Sequence, residues 1–565
     1  MKKRILATGA LVLVLLVFLA PVSLVMEGAQ QHADESAEAK VKPVLDIHNE
    51  VMAQKAHSGT PVGPLLEMEE IWAIEDMRQE SEEPLVTSMF NFDDRLGYDR
   101  ASNTFYCTLG LENEENWPEL LLNVKADTPD LQISPVDDYT YDWCSDAIRE
   151  GYRYEMIAYT GTEYNYFGIV FTGLPLVALH VKDGQAVGEE YVAARASIAA
   201  AGYEAVDSAA QIHLRGGGFD KPIDKFSYRF EFHTINEKGR DKQQAISVLG
   251  MEADTDWLLI ANPEDNTCVR NQICWNMWHK WNPQGDAPLM LHSKLVEVFV
   301  NDEYVGIYQL MQRVDLEKEM LRMGADLNTD YVFRIIRPMN IDKARAHKRY
   351  LDRAYMVIEL RQKPERANAQ RAFDLIEDYV TMNHINEPVS DEEFAALVEA
   401  HFDVPSLISY FLFFQAVELD EDNIHNNVYI FVSRKDGKYE YRVAPWDMDF
   451  GLNTKAPEER RNEMNLSMLM ARRILDLDLF HSREMIWDLW NEKRATILAD
   501  DSVYQWIMDV EEQVNASGAY LRESEKWYGE ADTLNLAHVA ANSISQMGTI
   551  EFHMNEIWPV TQRSD

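Results

Sequence analysis

Hydrophobic and polar positions divide the chain into stretches of different character. Behind Met1-Lys2-Lys3-Arg4 an almost unbroken apolar run extends from Ile5 to Met26, and no later run approaches its length. About 20 apolar residues suffice to span a bilayer. Residues 1–26 therefore read as a secretion signal or an uncleaved membrane anchor, which predicts an exported, extracellular or cell-surface protein whose membrane contact is confined to this segment. Residues 27–65 are polar, small and weakly patterned, as in a tether, and the acidic stretch 66–84 predicts one short helix, so 27–85 forms a linker. Between 86 and 180, short runs rich in Tyr, Phe, Thr and Val alternate with turn residues, predicting a β-rich module. Its aromatic side chains suit a sheet core or, if exposed, a glycan surface.

A second unit covers 181–560. Its Ala-rich start (186–206) predicts loop plus helix. Two strand patterns then flank a glycine-rich turn in IHLRGGGFDKPIDKFSYRFEF, and DNTCVRNQICWNMWHKW predicts a helix. KLVEVFVNDEYVGIYQLMQRV predicts a hairpin turning at Asn301-Asp302. From about 368 helical periods dominate, in QRAFDLIEDYVTMNHI, DEEFAALVEAHF and PSLISYFLFFQAVEL, and again from 466 to 546. One further hairpin, VYIFV–SRKDGK–YEYRVA, interrupts them. Strands first and helices later predict an α+β fold.

Composition narrows the function. At 565 residues, 46% of them hydrophobic, the chain is globular and too long for one ordinary core. A formal net charge of −42 disfavours nucleic acid and anionic lipid as partners. A polyanionic substrate would need a local basic pocket or divalent cations. Export makes disulfides available to the four cysteines. Cys107–Cys144, within one module, is the better-placed pair and free buried thiols are the alternative. Cys268 and Cys274 fall on different faces of one predicted helix, and no pair has zinc-site spacing.

The candidate chemistry lies in three places. In Arg215-Gly216-Gly217-Gly218-Phe219, glycines between strands let backbone N–H groups approach a phosphate, although a glycine triplet also serves as a plain turn. Lys225 follows on the next predicted strand, where nucleotide kinases keep a phosphate-binding ammonium. After an apolar helix, the polar segment DEDNIHNN carries Asp422 and Asn427 five residues apart, with Asp420 and Glu421 as competing carboxylates. Beyond the hairpin, Asp447 and Asp449 flank Met448 in WDMDFG, and both address one metal if the backbone bends there. A carboxylate to orient a hydroxyl, a carboxamide and a later carboxylate to hold metal, in that order, suit phosphoryl transfer. His425 has the pKa range of a general base, but no Ser or Cys nucleophile motif accompanies it. Two acids across a sugar, as in glycoside hydrolysis, are the enzyme alternative.

These residues resemble the spore-coat-protein-H-like (CotH) secreted protein kinases over roughly 205–530. The landmarks are RGGGFDKPIDKFSYRFEF, LGMEADTDWLLIANPEDNTCVRNQICWNM, VEVFVNDEYVGIYQLMQRV, FDVPSLISYFLFFQAVELDEDNIHNNVYIF and RVAPWDMDFG. The resemblance implies an atypical two-lobed kinase-like fold with a β-rich N-lobe and a helical C-lobe. It also implies ATP with Mg²⁺ or Mn²⁺, and protein Ser/Thr acceptors, which the acidic surface predicts to be basic. Asp422 would then be catalytic, Arg215, Gly217 and Lys225 would bind nucleotide, and Asn427, Asp447 and Asp449 would hold metal. The chain departs from the family's Arg-Gly-Asn-Ser-Ser at 215–219 and keeps one lysine, after Asp224, where two are usual. Glu297 and Glu264 are the candidate partners of Lys225. A catalytically weak scaffold or surface-binding protein on the same fold is the reading from a different class.

Overall fold

A computed structural model of the protein describes residues 42–53, 59–92, 94–112, 124–126, 130–136, 143–216, 223–335, 358–360, part of 371–382, 389–419, 428–452, 464 and 468–559. The middle of the predicted tether is ordered: residues 42–53 form a helix whose Val44, Ile47 and Val51 pack on Ala209. The acidic helix appears at Met68–Met77.

The β-rich module holds strands β1 (Gly97–Asp99), β2 (Thr104–Thr108), β3 (Gln132–Pro135), β4 (Arg153–Tyr159) and β5 (Glu163–Thr172) in the order β1-β2-β5-β4-β3. Tyr98, Phe105, Tyr154, Met156 and Phe167 fill its core, so these aromatic residues serve packing. Cys107 and Cys144 lie in that core as free thiols, as do Cys268 and Cys274 in theirs, so the disulfide expectation gives way to the alternative. Desolvation pushes the Cys107 thiol up to about 12.

Seven strands follow: β6 (Leu176–Val181), β7 (Val192–Ala199), β8 (Val206–Arg215), β9 (Ser227–Ile235), β10 (Asp256–Ile260), β11 (Ser293–Val300) and β12 (Glu303–Gln312). They pair in the order β8-β7-β6-β11-β12-β10-β9, and β9 returns to β8, closing a barrel. The Ala-rich stretch predicted to be loop plus helix contains β7. Alternation overrides helix propensity there: Ala194, Ala196 and Ile198 enter the barrel core, while the Arg195 Nε and the Ser197 hydroxyl donate to Asp207 at 2.8 and 3.1 Å. Both hairpins form at their expected turns. Asn301-Asp302 (φ 53° and 61°) and Asp436-Gly437 (φ 51° and 85°) are left-handed pairs, which suits two-residue β-turns.

The remainder is helical around a small antiparallel sheet ordered β14 (Ile358–Leu360), β13 (Tyr331–Ile335), β15 (Val428–Lys435), β16 (Lys438–Pro445). Its helices are α1 (Arg270–Trp281), α2 (Asp391–His401), α3 (Val404–Ala416), α4 (Leu469–Asp476), α5 (Ser482–Arg494), α6 (Asp500–Ala516), α7 (Ala519–Tyr528) and α8 (Ala537–Ile557). Helix α3 is apolar on nearly every side and runs through the core, as its all-round hydrophobic sequence requires. Leu258, Ile260, Leu295, Ile307 and Met311 on the outer barrel wall join the same core. The fold is thus mixed α+β, and a closed seven-strand barrel forms its strand-rich part.

Candidate functional site

After β16 ends at Pro445, the backbone turns sharply at Asp447, whose φ of 56° lies in the left-handed region. Asp is one of the few side chains enriched there. Met448 is fully buried and anchors the turn, so Asp447 and Asp449 on either side stay half-buried. Three ties hold this geometry. The Met448 N–H donates to Asn271 Oδ1 on α1 (3.0 Å), the Gly451 N–H to the Met448 carbonyl (3.0 Å), and the Leu452 N–H to the Val417 carbonyl after α3 (2.8 Å). A Cβ on Gly451 would stand 2.7 Å from Cys274 Sγ and 3.1 Å from the Met448 oxygen, so only glycine fits. Phe450 between them is exposed.

Burial and the neighbouring Asp447 and Asp265 carboxylates push the Asp449 carboxyl up to about 8. Asp265 is itself committed, accepting from the Thr267 and Arg270 N–H groups (both 2.9 Å) and from the Arg270 guanidinium. Crowded, hard oxygen donors of this kind fit Mg²⁺ or Mn²⁺. Among the described residues no three His, Cys, Asp or Glu side chains group closely enough to hold a metal alone. Asp422 and Asn427 lie outside the described residues, as do Asp420, Glu421 and His425. Their segment is nevertheless tied to this turn at both ends: Val417 bonds Leu452, and Val428 pairs with Pro445 across β15 and β16.

Arg215 comes to the same turn from the barrel. It ends β8 opposite Ser227, and its guanidinium carbon lies 5.6 Å from the centre of the Trp446 ring. Burial pulls the guanidinium below its ordinary value and Asp447 works against that shift. Gly216 has a φ of 87°, which favours glycine, and Gly217 lies outside the described residues. Trp446 meets Tyr429 edge-on at 5.7 Å, and the Arg334 guanidinium carbon sits 5.8 Å over Tyr429.

Lys225 stands just ahead of β9 rather than on it, and its side chain is wholly enclosed. Its ammonium donates to Glu523 Oε1 (2.6 Å), the Ile307 carbonyl (2.7 Å) and Cys268 Sγ (3.7 Å), so each of its donors has a protein partner. The partner glutamate is neither Glu297 nor Glu264. Glu264 is exposed, and Glu297 is bound by Arg522 through two 2.8 Å bonds. Glu523, on α7, also accepts the Ile307 N–H at 2.6 Å. Sequence reasoning missed Glu523, Asn271 and Arg334. The readable signal was modest: charged or amide residues at helix and strand positions whose neighbours are apolar.

No curated protein matches the chain. The family model described as CotH kinase protein matches residues 212–553, more than half of the chain, a span that includes Arg215, Lys225, Asp447, Asp449 and Glu523. By that match, the chain belongs to the CotH kinase protein family.

Proposed function

We propose that this protein is an exported, metal-dependent atypical protein kinase that transfers the γ-phosphoryl group of ATP to Ser or Thr hydroxyls of a protein substrate. The observation that carries this reading is the Asp447-Met448-Asp449 turn. It places two carboxylates beside the ends of the segment bearing Asp422 and Asn427 and under a barrel arginine, inside a CotH domain. The acceptor oxygen forms its bond to the γ-phosphorus as the bond to the ADP oxygen breaks. Asp422 orients the acceptor hydroxyl and takes its proton. Asp447, Asp449 and Asn427 would hold Mg²⁺ or Mn²⁺, which when bound neutralises phosphate charge. Arg215 and the backbone at Gly217 meet the phosphates from the barrel side. The net charge of −42 supports a basic acceptor sequence, which such a surface attracts. Export rests on the apolar run of residues 5–26.

Radiolabelled ATP given to the full chain with Mn²⁺ or Mg²⁺ and Ser-containing peptides tests the reading. Label should enter the wild type, favour the basic peptide over the acidic one, and vanish in Asp422→Ala and Asp447→Ala. Absence of transfer together with absence of metal-dependent ATP binding would favour a catalytically weak scaffold, the reading that the Arg215-to-Phe219 departure supports. Equal use of both peptides would remove the charge argument.

A further inference from the structure

We propose that Asn271 on α1 is the positioning residue of the Asp447-Met448-Asp449 turn, and that a buried chain of hydrogen bonds through the barrel wall holds its carboxamide in one orientation. The inference rests on the kinase reading for the metal that the turn binds. Its hydrogen bonds are independent of that reading.

Helix α1 lays one face along the turn through residues three and four apart. The Met448 N–H donates to Asn271 Oδ1 at 3.0 Å, Cys274 Sγ stands where a Cβ on Gly451 would be 2.7 Å away, and the Trp275 ring meets Trp446 edge-on at 6.2 Å. Asn271 supplies the directional contact. The peptide it holds joins Asp447 to Met448, so the tilt of that peptide sets how the Asp447 and Asp449 carboxylates face each other. A backbone N–H can only donate, which obliges Asn271 to present its oxygen to Met448 and its NH₂ to Gln309 Oε1 on β12 at 2.8 Å. The same constraint passes down the chain. Gln309 Nε2 donates to the Ser293 hydroxyl at the start of β11 (2.9 Å), that hydroxyl to Gln272 Oε1 (3.0 Å), and Gln272 Nε2 to Asn276 Oδ1 (2.8 Å). The chain thus leaves α1, crosses two barrel strands and returns to α1 one residue from its start. Asn271, Gln309 and Gln272 are 1%, 0% and 5% exposed, so water does not compete for these bonds. A buried amide stripped of its partner costs free energy, and the linked amides therefore resist turning singly. Every member is also neutral. Asp265, Asp447 and Asp449 already act on one another by charge, so a further acid would add repulsion and a cationic side chain would compete with a divalent ion. A carboxamide fixes the peptide without either effect. Groups in such a place act on a metal through the ligands they orient.

The test measures Mn²⁺ binding, and amide hydrogen exchange over residues 446–452, on the full-length wild type, Asn271→Leu, Asn271→Asp, Gln309→Met and the Asn271→Leu, Gln309→Met double variant. Ser409→Ala is the control, because it takes the acceptor of the Trp281 indole N–H (2.9 Å) and so costs α1 a bond of the same kind away from the turn. Asn271→Leu removes the Met448 acceptor and should raise the Mn²⁺ Kd about 10- to 100-fold, with faster exchange at Met448. Asn271→Asp keeps an acceptor there and should stay within about threefold of wild type in affinity. Gln309→Met should weaken binding less than Asn271→Leu and add nothing to it, since Gln309 acts through Asn271. Ser409→Ala should melt lower and bind Mn²⁺ as wild type does. Wild-type Mn²⁺ affinity in Asn271→Leu would overturn the proposal, whatever its melting temperature. So would additive losses in the double variant, or a loss in Ser409→Ala equal to that in Asn271→Leu. Should Asn271→Leu not fold, wild-type affinity and exchange in Gln309→Met would overturn it instead. If wild type binds no Mn²⁺ while exchange at Met448 still quickens in Asn271→Leu, the positioning role stands and the metal falls, and the kinase reading with it. Unchanged exchange in that case would reject both.

Discussion

Asp447 combines a functional charge with an unusual backbone, and the two can be separated by substitution. Asn tolerates the left-handed conformation nearly as well as Asp, whereas Ala at φ 56° is strained by about 1 kcal/mol or more. Asp447→Asn should therefore melt close to wild type and lose phosphoryl transfer, while Asp447→Ala should lose transfer and stability together. Urea titration of both variants beside the transfer assay checks this, and equal stabilities would show that the turn tolerates Ala. Gly451→Ala makes the complementary case. Its Cβ would press on Cys274 Sγ at 2.7 Å and on the Val417 carbonyl at 3.2 Å. Overpacking of that kind costs typically 1–3 kcal/mol and should displace the turn, lowering transfer although no charge is removed. Asp447, Asp449 and Gly451 stand out in the sequence because one short motif holds all three. Glu523 does not, because a lone glutamate in a helix gains meaning only when Lys225, almost three hundred positions earlier, lies against it.

Helix α7 shows how an element far along the chain completes the barrel. Its consecutive residues Arg522 and Glu523 reach Glu297 on β11 and Lys225 ahead of β9, and both carboxylates are fully buried. Gly306 on β12, with φ 106°, leaves space for Glu523, since a Cβ there would collide with its carboxylate. Removing one member of a buried pair strands the other, at a cost of roughly 3–5 kcal/mol, whereas replacing both with apolar residues is often neutral. Glu523→Ala should thus be severely destabilising, and Lys225→Met combined with Glu523→Leu should recover most of the loss. Denaturant unfolding of the two singles and the double measures it, and additive losses would refute the pairing. Elements set by local chemistry were legible: Asn301-Asp302 and Asp436-Gly437 announce their turns, and α3 announces burial by its unbroken apolar sequence. Those set by distant partners were not. The alanines of β7 read as helix until the barrel takes Ala194 and Ala196 inward, and α1 starts at Arg270 because Asp265, read from sequence as helical, instead accepts the Thr267 and Arg270 N–H groups.

At the scale of the molecule, excess negative charge makes stability depend on how individual acids are compensated, and the outer barrel wall holds a test case. Arg229 binds Glu231 and Asp256 at 2.5 Å, Tyr191 donates to Glu231 at 2.6 Å, and His233 Nδ1 lies 2.7 Å from Asp241. Burial alone would raise the Glu231 carboxyl, but the His233 ring nitrogen 3.9 Å away, hydrogen bonds from Tyr191 and Gln243 and the charge of Arg229 bring it from 4.5 down to about 2. Burial alone would lower the His233 imidazole, yet the Glu231 and Asp241 carboxylates raise it above 6.5. The two groups have opposite signs in linkage. Glu231 contributes stability that is fully present above pH 4.5 and disappears as pH falls toward about 2. His233 contributes stability that is fully present below pH 6.5 and disappears as pH rises through its elevated value. Both contributions coexist only between those limits, so the wall should be most stable in mildly acidic solution, with a loss on the order of 2 kcal/mol down the acid limb. Melting temperatures from pH 3 to 9 should show Glu231→Gln flattening the acid limb and His233→Gln flattening the alkaline one. Added salt should raise the whole curve by screening repulsion among charges that sum to −42. A wild-type curve that climbs steadily through neutrality would show that self-repulsion and other carboxylates, rather than this network, govern the response to pH.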